Sequence, residues 1–403
     1  MKTIGEALAG AMALARPLDP MDVALGFAAR RFAAKREHAS HDVPAFDASL
    51  VDGYAVRSAE IAAGARRPVR GEARAGSLPE PLAEGVAARI FTGAPVPHGA
   101  DAVVMQEIVG REGETATFQR TIAGGAGIRR AGSDLARGEV MLEAGTRLDA
   151  GAIALLASQG QARVSVTCAP RVALVTTGDE VVAATDALPP GGLFDANGPM
   201  LSAMILEAGG TAWTSLHARD DLAATTETIE RALVGADLVL TVGGVSVGDH
   251  DYVHAALAAL GVERSFWRVR MKPGKPLAVG AKAGVPVIGL PGNPVSAWVA
   301  FQVFVRPMLR RMAGDPLPYR RTREVVLGAS IRPSADRTEL ARARLDDEGV
   351  AWPFAKQGSS ALTSITGVDA LLILPEREGE LAAGDRVRAM LLDGRGTDTP
   401  PFT

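Results

Sequence analysis

The chain has 403 residues and a formal net charge of −3, with 47% hydrophobic and 22% charged residues. That composition excludes a disordered or fibrous chain, and the length asks for more than one core, at about 100 to 200 residues per domain. The missing excess of positive charge, with aromatics at only 4%, excludes bulk binding of nucleic acid, which needs a basic face and stacking rings.

Residues 1–37 read as helical, rich in Ala, Leu and Arg. Lys2 and the apolar stretch to Ala15 imitate a secretory leader, but Glu6 interrupts it, and an amphipathic helix stopped by Pro17 fits better. From about 44 to 145 short Val/Ala/Ile runs alternate with Gly and Pro, the texture of strands joined by tight turns. Residues 149–160 read as a helix ending at Gly160. Cys168, the one cysteine, closes a β-branched run and reads as a buried structural thiol in a reducing compartment.

From about 170 the pattern becomes α/β. Strands are expected at 171–176, 237–242 and 286–290, helices at 200–208 and 224–233, and a long helix to about 311. Alternating strands and helices imply a mainly parallel sheet. Past Pro316 the texture is β again, at 324–327, 370–374 and 386–391, and the tail 394–403 reads as disordered. No apolar run reaches the length of about 18 residues needed to span a bilayer.

Five segments could carry chemistry. Gly243-Gly244-Val245-Ser246 follows a strand, where paired glycines let backbone N–H groups nest around an anion and Ser246 adds a hydroxyl. Two glycines alone more often mark a plain strand-to-loop turn. Asp249-His250-Asp251 and Thr177-Gly178-Asp179-Glu180 put carboxylates at strand ends, where Mg²⁺ could bridge them to a phosphate; helix capping by Asp179 or Asp249 is the alternative. Between Arg264 and Lys275 lie five basic residues and no acid, and the prolines present Lys272 and Lys275 from a non-helical loop suited to an oxyanion. A solvated basic face is the competing reading. Pro291-Gly292-Asn293-Pro294 opens a helix whose first N–H groups and dipole favour an anion, or it is only a capped turn. Around Asp52-Gly53 and Thr92-Gly93 the residues alone earn no catalytic label.

In series, PAFDASLVDGYAV (44–56), FTGAPVP (91–97), TGDE (177–180), GGVSVG (243–248), KPGKP (272–276) and GLPGNPVSA (289–297) resemble the molybdopterin molybdenumtransferase family, which includes the gephyrin E domain. The resemblance runs from about residue 4 to about 390. It implies an enzyme that inserts molybdate into adenylylated molybdopterin, releases AMP and needs a divalent cation, usually Mg²⁺. The implied fold class is multidomain α/β and β. A mixed base (1–43 and 139–168) holds an inserted β-rich domain (about 44–138), followed by a doubly wound α/β molybdopterin-binding domain (169–315), a C-terminal β-barrel (316–393) and the tail. A homodimer is implied, with Asp52 and Thr92 reaching the partner's cleft, together with cytoplasmic location and transient contact with molybdopterin adenylyltransferase and apo-molybdoenzymes.

Carried over residue by residue, the resemblance makes Asp52, Thr92, Glu180, Asp220 and Asp251 catalytic, with Asp251 and Glu180 on the metal. Gly243, Gly244, Ser246, Pro291, Gly292, Asn293, Pro294 and Ser296 would bind substrate, Lys272 and Lys275 would line the molybdate pocket, and Arg342 and Ser359 are looser matches facing it from the barrel. The sequence departs from the usual pattern at Ala196, where Ser is common, and at Val242, where Ser is usual before the glycines. Three rivals stand beside this reading. A molybdopterin adenylyltransferase would need only the central domain; a carrier or sensor paralogue would bind molybdopterin or molybdate without turnover; and tungstate could replace molybdate.

Overall fold

The structure is a computed structural model and describes residues 1–244, 252–394 and 396–402. The chain forms two compact units, one of Met1–Ala34, Gly145–Ala150 and Arg163–Thr403, the other of Lys35–Ala144 and Gly151–Ala162.

The second unit is built on a six-stranded sheet in the order Ala102–Met105, Gly53–Val56, Ala87–Ile90, Arg66–Ala73, Thr115–Phe118, Val109–Glu112. Side chains alternate across the central strand: Tyr54 and Val56 enter one apolar cluster and Ala55 the other. That burial on both faces fixes where the strand starts, and Asp52 is the residue just outside it. The short strand Glu37–His38 pairs with Val140–Leu142, and the side-chain Oε1 of Gln159 accepts from the amides of Ser40 and His41. Those contacts bind residues 35–43 and 139–144 to the β-rich unit.

In the first unit, helix Ile4–Leu14 starts with a capping box: Thr3 and Glu6 exchange side-chain and backbone hydrogen bonds. The helical reading of residues 1–37 fails beyond Leu14. Pro17 and Pro20 cannot continue a helix, and Pro20–Ala24 instead forms an antiparallel pair with Arg163–Thr167. Cys168, at the end of that second strand, is half-buried rather than buried.

The central sheet has the order Thr211–Ala218, Arg171–Thr177, Leu238–Val242, Val285–Leu290, Pro276–Lys282, Glu263–Arg268. The first four are mutually parallel and the last two add an antiparallel edge. Val172 and Leu174 face one core with helix Asn197–Glu207; Ala173 and Val175 face another with helices Leu222–Leu233 and Tyr252–Ala259. Helices on both faces make the sheet doubly wound. The chain passes from Arg171–Thr177 to its neighbour on one side, then returns to pair on the other side, so the strand order reverses at Arg171–Thr177 and Leu238–Val242. A crevice at the carboxyl ends of such strands is where open α/β sheets bind ligands.

The long helix is continuous from Pro294 to Met312, with a π-helical stretch at Phe301–Val305. Beyond it, Thr338–Leu345, Ala370–Leu374, Arg386–Leu391 and Thr322–Val326 pair in that order, with Ala351–Pro353 on the outer side of Thr338–Leu345. A bridge from Leu327 to Ala351, with Gly328 N donating to Ala351 O at 2.8 Å, closes the ring into a barrel. The tail expected to be disordered is held in its described part. Thr397 and Tyr319 exchange backbone hydrogen bonds at 2.9 and 3.0 Å, Arg388 donates to Pro401 O, and Phe402 packs on the main core. These are long-range pairings, which the composition of the tail does not express.

Candidate active site

A cleft of about 530 Å³ opens at the carboxyl ends of the parallel strands. Its walls include Thr177, Glu180, Asn197, Asp220, Gly243, Gly244 and residues 291–294. Six segments far apart in sequence meet there because each follows, or helps to cover, a strand of one sheet.

The glycine pair has a geometry that other residues resist. Gly243 and Gly244 have φ of 89° and 59°, in the left-handed region. A Cβ on Gly243 would stand 2.6 Å from Thr177 Oγ1, and one on Gly244 would stand 2.6 Å from Val253 Cγ2. The expected anion nest is partly used by the protein itself, because Gly243 N donates to Leu290 O at 3.2 Å. The proline turn lies directly across: a Cβ on Gly292 would come within 3.4 Å of Gly243 Cα. Asn197 Nδ2 donates to Gly292 O at 2.8 Å and so ties the next helix to that turn. Its Oδ1 is buried and has no partner among the described residues, which leaves an acceptor inside the cleft wall.

Opposite stand the acids. Asp179 N donates to Asp220 Oδ2 and Asp220 N donates to Asp179 Oδ1, both at 3.2 Å. This reciprocal clasp locks two loops together and replaces the helix-capping role considered for Asp179. The cap of helix Leu222–Leu233 is Asp221, which accepts from Ala224 N. Glu180 folds back over Gly178, with Oε2 2.7 Å from where a Cβ would sit. The ion pairs of the described residues include none of these three acids. Among the described residues no group of three or more His, Cys, Asp or Glu is arranged to hold a metal ion. Ser246 and Asp251, with Asp249 and His250, lie outside the described residues.

The remaining sequence-predicted residues do not line this cleft. Ser296 is buried in the first turn of the long helix. Lys275 is exposed, while Lys272 Nζ is bound to the buried carboxylate of Glu339 at 3.1 Å. Arg342, expected to face the site, is 0% exposed and cannot touch a ligand. Its guanidinium donates to Ser364 Oγ at 3.0 Å and to the carbonyls of Lys356 and Gly358 at 3.1 and 3.3 Å. Burial pushes its pKa down to about 10, so it remains a cation at neutral pH. Arg342 therefore shapes the loop that carries Ser359, and Ser359 Oγ accepts from Asn293 Nδ2 at 3.4 Å.

In the β-rich unit, Asp52 and Thr92 are brought together. Asp52 Oδ1 accepts from both Thr92 N and Thr92 Oγ1 at 2.8 Å. The Thr92 amide, then the Thr92 hydroxyl, hold the Asp52 carboxyl below its ordinary range, and it is ionised at neutral pH. Sequence reasoning missed Glu339 and Asn197. Asn197 carried a weak signal, as the residue that starts a helix after Phe194-Asp195-Ala196; Glu339 carried none in its own neighbourhood.

The fold and cleft define a multidomain protein built on a doubly wound α/β domain with a ligand-binding crevice at its strand ends. Residues 2–160 match the family described as MoeA N-terminal region (domain I and II), residues 173–311 the probable molybdopterin binding domain, and residues 324–392 the MoeA C-terminal region (domain IV). The molybdopterin molybdenumtransferase of Bacillus subtilis is 35% identical over 392 residues, 94% of this chain and 91% of that one. Molybdopterin molybdenumtransferase 2 of Mycobacterium tuberculosis is 36% identical over 360 residues, 86% and 88% of the two chains. A crystal structure of the molybdopterin biosynthesis moeA protein of Pyrococcus horikoshii superposes with a TM-score of 0.82 at 29% identity, covering 97% of this chain and 100% of that one. The chain belongs to the molybdopterin molybdenumtransferase family, a family of transferases.

Proposed function

We propose that this chain inserts molybdate into adenylylated molybdopterin and releases AMP. The observation that carries this reading is the cleft itself, where a left-handed glycine pair and a proline turn share the walls with Glu180 and Asp220, which have no cationic partner among the described residues. The N-terminal and C-terminal family regions argue against an adenylyltransferase, which would need only the central domain.

Each residue then has a task. Gly244 and the 291–294 turn, held by the Asn197 bond to Gly292 O, bind and orient the phosphorylated heterocycle. Lys272 and Lys275 offset the charge of molybdate, with Ser359 near the turn. The acids' all-oxygen donor set fits a hard divalent ion, which Glu180 and Asp251 would hold with help from substrate phosphate oxygens. Mg²⁺ there would supply charge neutralisation at the phosphoanhydride. Asp220 keeps the Glu180 loop in place through its clasp with Asp179. Asp52, oriented by Thr92, completes the cleft of a second subunit in a homodimer. The setting proposed is the cytoplasm, with transient contacts to molybdopterin adenylyltransferase and to apo-molybdoenzymes; no helix among the described residues is long and apolar enough to cross a membrane.

The test is AMP release from adenylylated molybdopterin with Mg²⁺ and molybdate. Release that ignores molybdate, or full activity in Asp251→Ala, rejects the reading. The shared site has its own test, mixing inactive Asp52→Ala with inactive Asp251→Ala. One intact site in each mixed dimer gives about a quarter of wild-type activity at equal amounts, and none if each subunit works alone.

A further inference from the structure

Lys272 sits in a stretch of five basic residues, 264–275, that contains no acid. The fold brings an acid to it from the barrel. The strand Thr338–Leu345 runs parallel to Met271–Lys272, and the register sets Lys272 beside Glu339. Lys272 Nζ donates to Glu339 Oε2 at 3.1 Å. The two side chains are unequal partners, 41% exposed for Lys272 and 4% for Glu339. A carboxylate so deep cannot be hydrated and depends on its cation. An ammonium has three N–H donors, so binding Glu339 leaves two for a ligand.

We propose that Glu339 is a positioning residue that makes oxyanion capture size-selective. It rests on the reading of Lys272 as a molybdate ligand. A free lysine is a point charge on a flexible stem and follows any tetrahedral dianion. Tethered to a buried carboxylate, the same ammonium is held at one point before the ligand arrives, and its ordering entropy is already spent. The pair is also electrically neutral, so attraction common to all dianions is reduced. What remains is the distance between fixed donors, and this separates molybdate, with its longer bonds to oxygen, from sulfate.

The measurement is AMP release at varied molybdate with sulfate as competitor, read as the ratio of the sulfate Ki to the molybdate KM. A change in net charge acts on both anions and cancels in the ratio. In Glu339→Gln the ratio falls about tenfold, while KM for adenylylated molybdopterin holds and kcat stays within about twofold. An unchanged ratio in folded protein, or kcat and both KM values moving together, overturns the proposal. If Glu339→Gln does not fold, Glu339→Asp, which keeps the charge and Lys272 but shortens the tether, carries the same ratio test. There, a wild-type ratio overturns the proposal and a tenfold fall supports it. Lys272→Gln alone separates the two levels of the argument. If it leaves the molybdate KM untouched, the oxyanion reading of Lys272 fails and the Glu339 role falls with it. If it raises that KM while Glu339→Gln keeps the wild-type ratio, only the Glu339 role fails.

Discussion

Two groups of acids in this molecule are solved differently. Asp52 in the β-rich unit is finished: two donors from one residue, Thr92, fix one oxygen and favour the ionised form. Asp179, Glu180 and Asp220 in the α/β cleft are not. Asp179 and Asp220 each accept from the other's backbone amide, Glu180 shares in neither bond, and none of the three has a cationic partner among the described residues. A carboxylate with internal donors keeps its geometry without a ligand. Clustered carboxylates without a cation repel one another until something positive arrives. On the function proposed above, the first group has a positioning role and the second awaits a cation.

The largest effect should come from the cleft. Glu180→Gln keeps the size of the side chain and removes the charge. AMP release should fall on the order of 10²–10³-fold, as for loss of a group acting on transition-state charge. Asp52→Asn should cost less than this. If the two variants lose activity equally, the division of labour is wrong.

Next is the cation itself. Mg²⁺ at a hundred times its Kd should stabilise the wild-type fold by about 2.7 kcal/mol, seen as a higher Tm that chelator reverses. Glu180→Gln should lose most of that increment and Asp52→Asn should keep it. A Tm that ignores Mg²⁺ in the wild type would remove the cation from the second group.

Backbone substitutions come third. Gly244→Ala forces a side chain into the left-handed region and against Val253 Cγ2 at 2.6 Å. A cost of about 1–3 kcal/mol is expected, measured by urea unfolding, with activity falling as the loop shifts. A neutral outcome would mean that the loop adapts and the cradle is not rigid.

How much of this could be read in the sequence depends on distance along the chain. Strand Leu238–Val242, the glycine pair and the proline turn were legible because each is a local pattern of apolar run, Gly and Pro. The clasp between Asp179 and Asp220 spans 41 residues and the Lys272–Glu339 pair spans 67, and both depend on the order of strands. No local rule encodes that order. Arg342 failed for a related reason: the sequence shows an arginine near a site but not which side of the strand it faces. Pro17 marks the end of the first helix in the sequence, whereas the pairing of Pro20–Ala24 with Arg163–Thr167 is long-range and leaves no local sign.

The smallest effect tests the finished site. Thr92→Val removes the hydroxyl donor and leaves the amide, so Asp52 loses one of two hydrogen bonds. The folded carboxyl lies below its ordinary value, so its ionised, Thr92-bound form persists above that value and is lost as pH falls through the lowered one. Removing the hydroxyl hydrogen bond should move the Asp52 midpoint up, but not fully to the ordinary value, because the amide remains. Carboxyl NMR titration reads this directly. At neutral pH Asp52 stays ionised in both proteins, so the activity loss should be only several-fold and should grow as pH is lowered towards 4, the ordinary carboxylate range. An unchanged midpoint in Thr92→Val would mean that the amide alone sets the charge state, and Thr92 would then matter only for the path of its backbone.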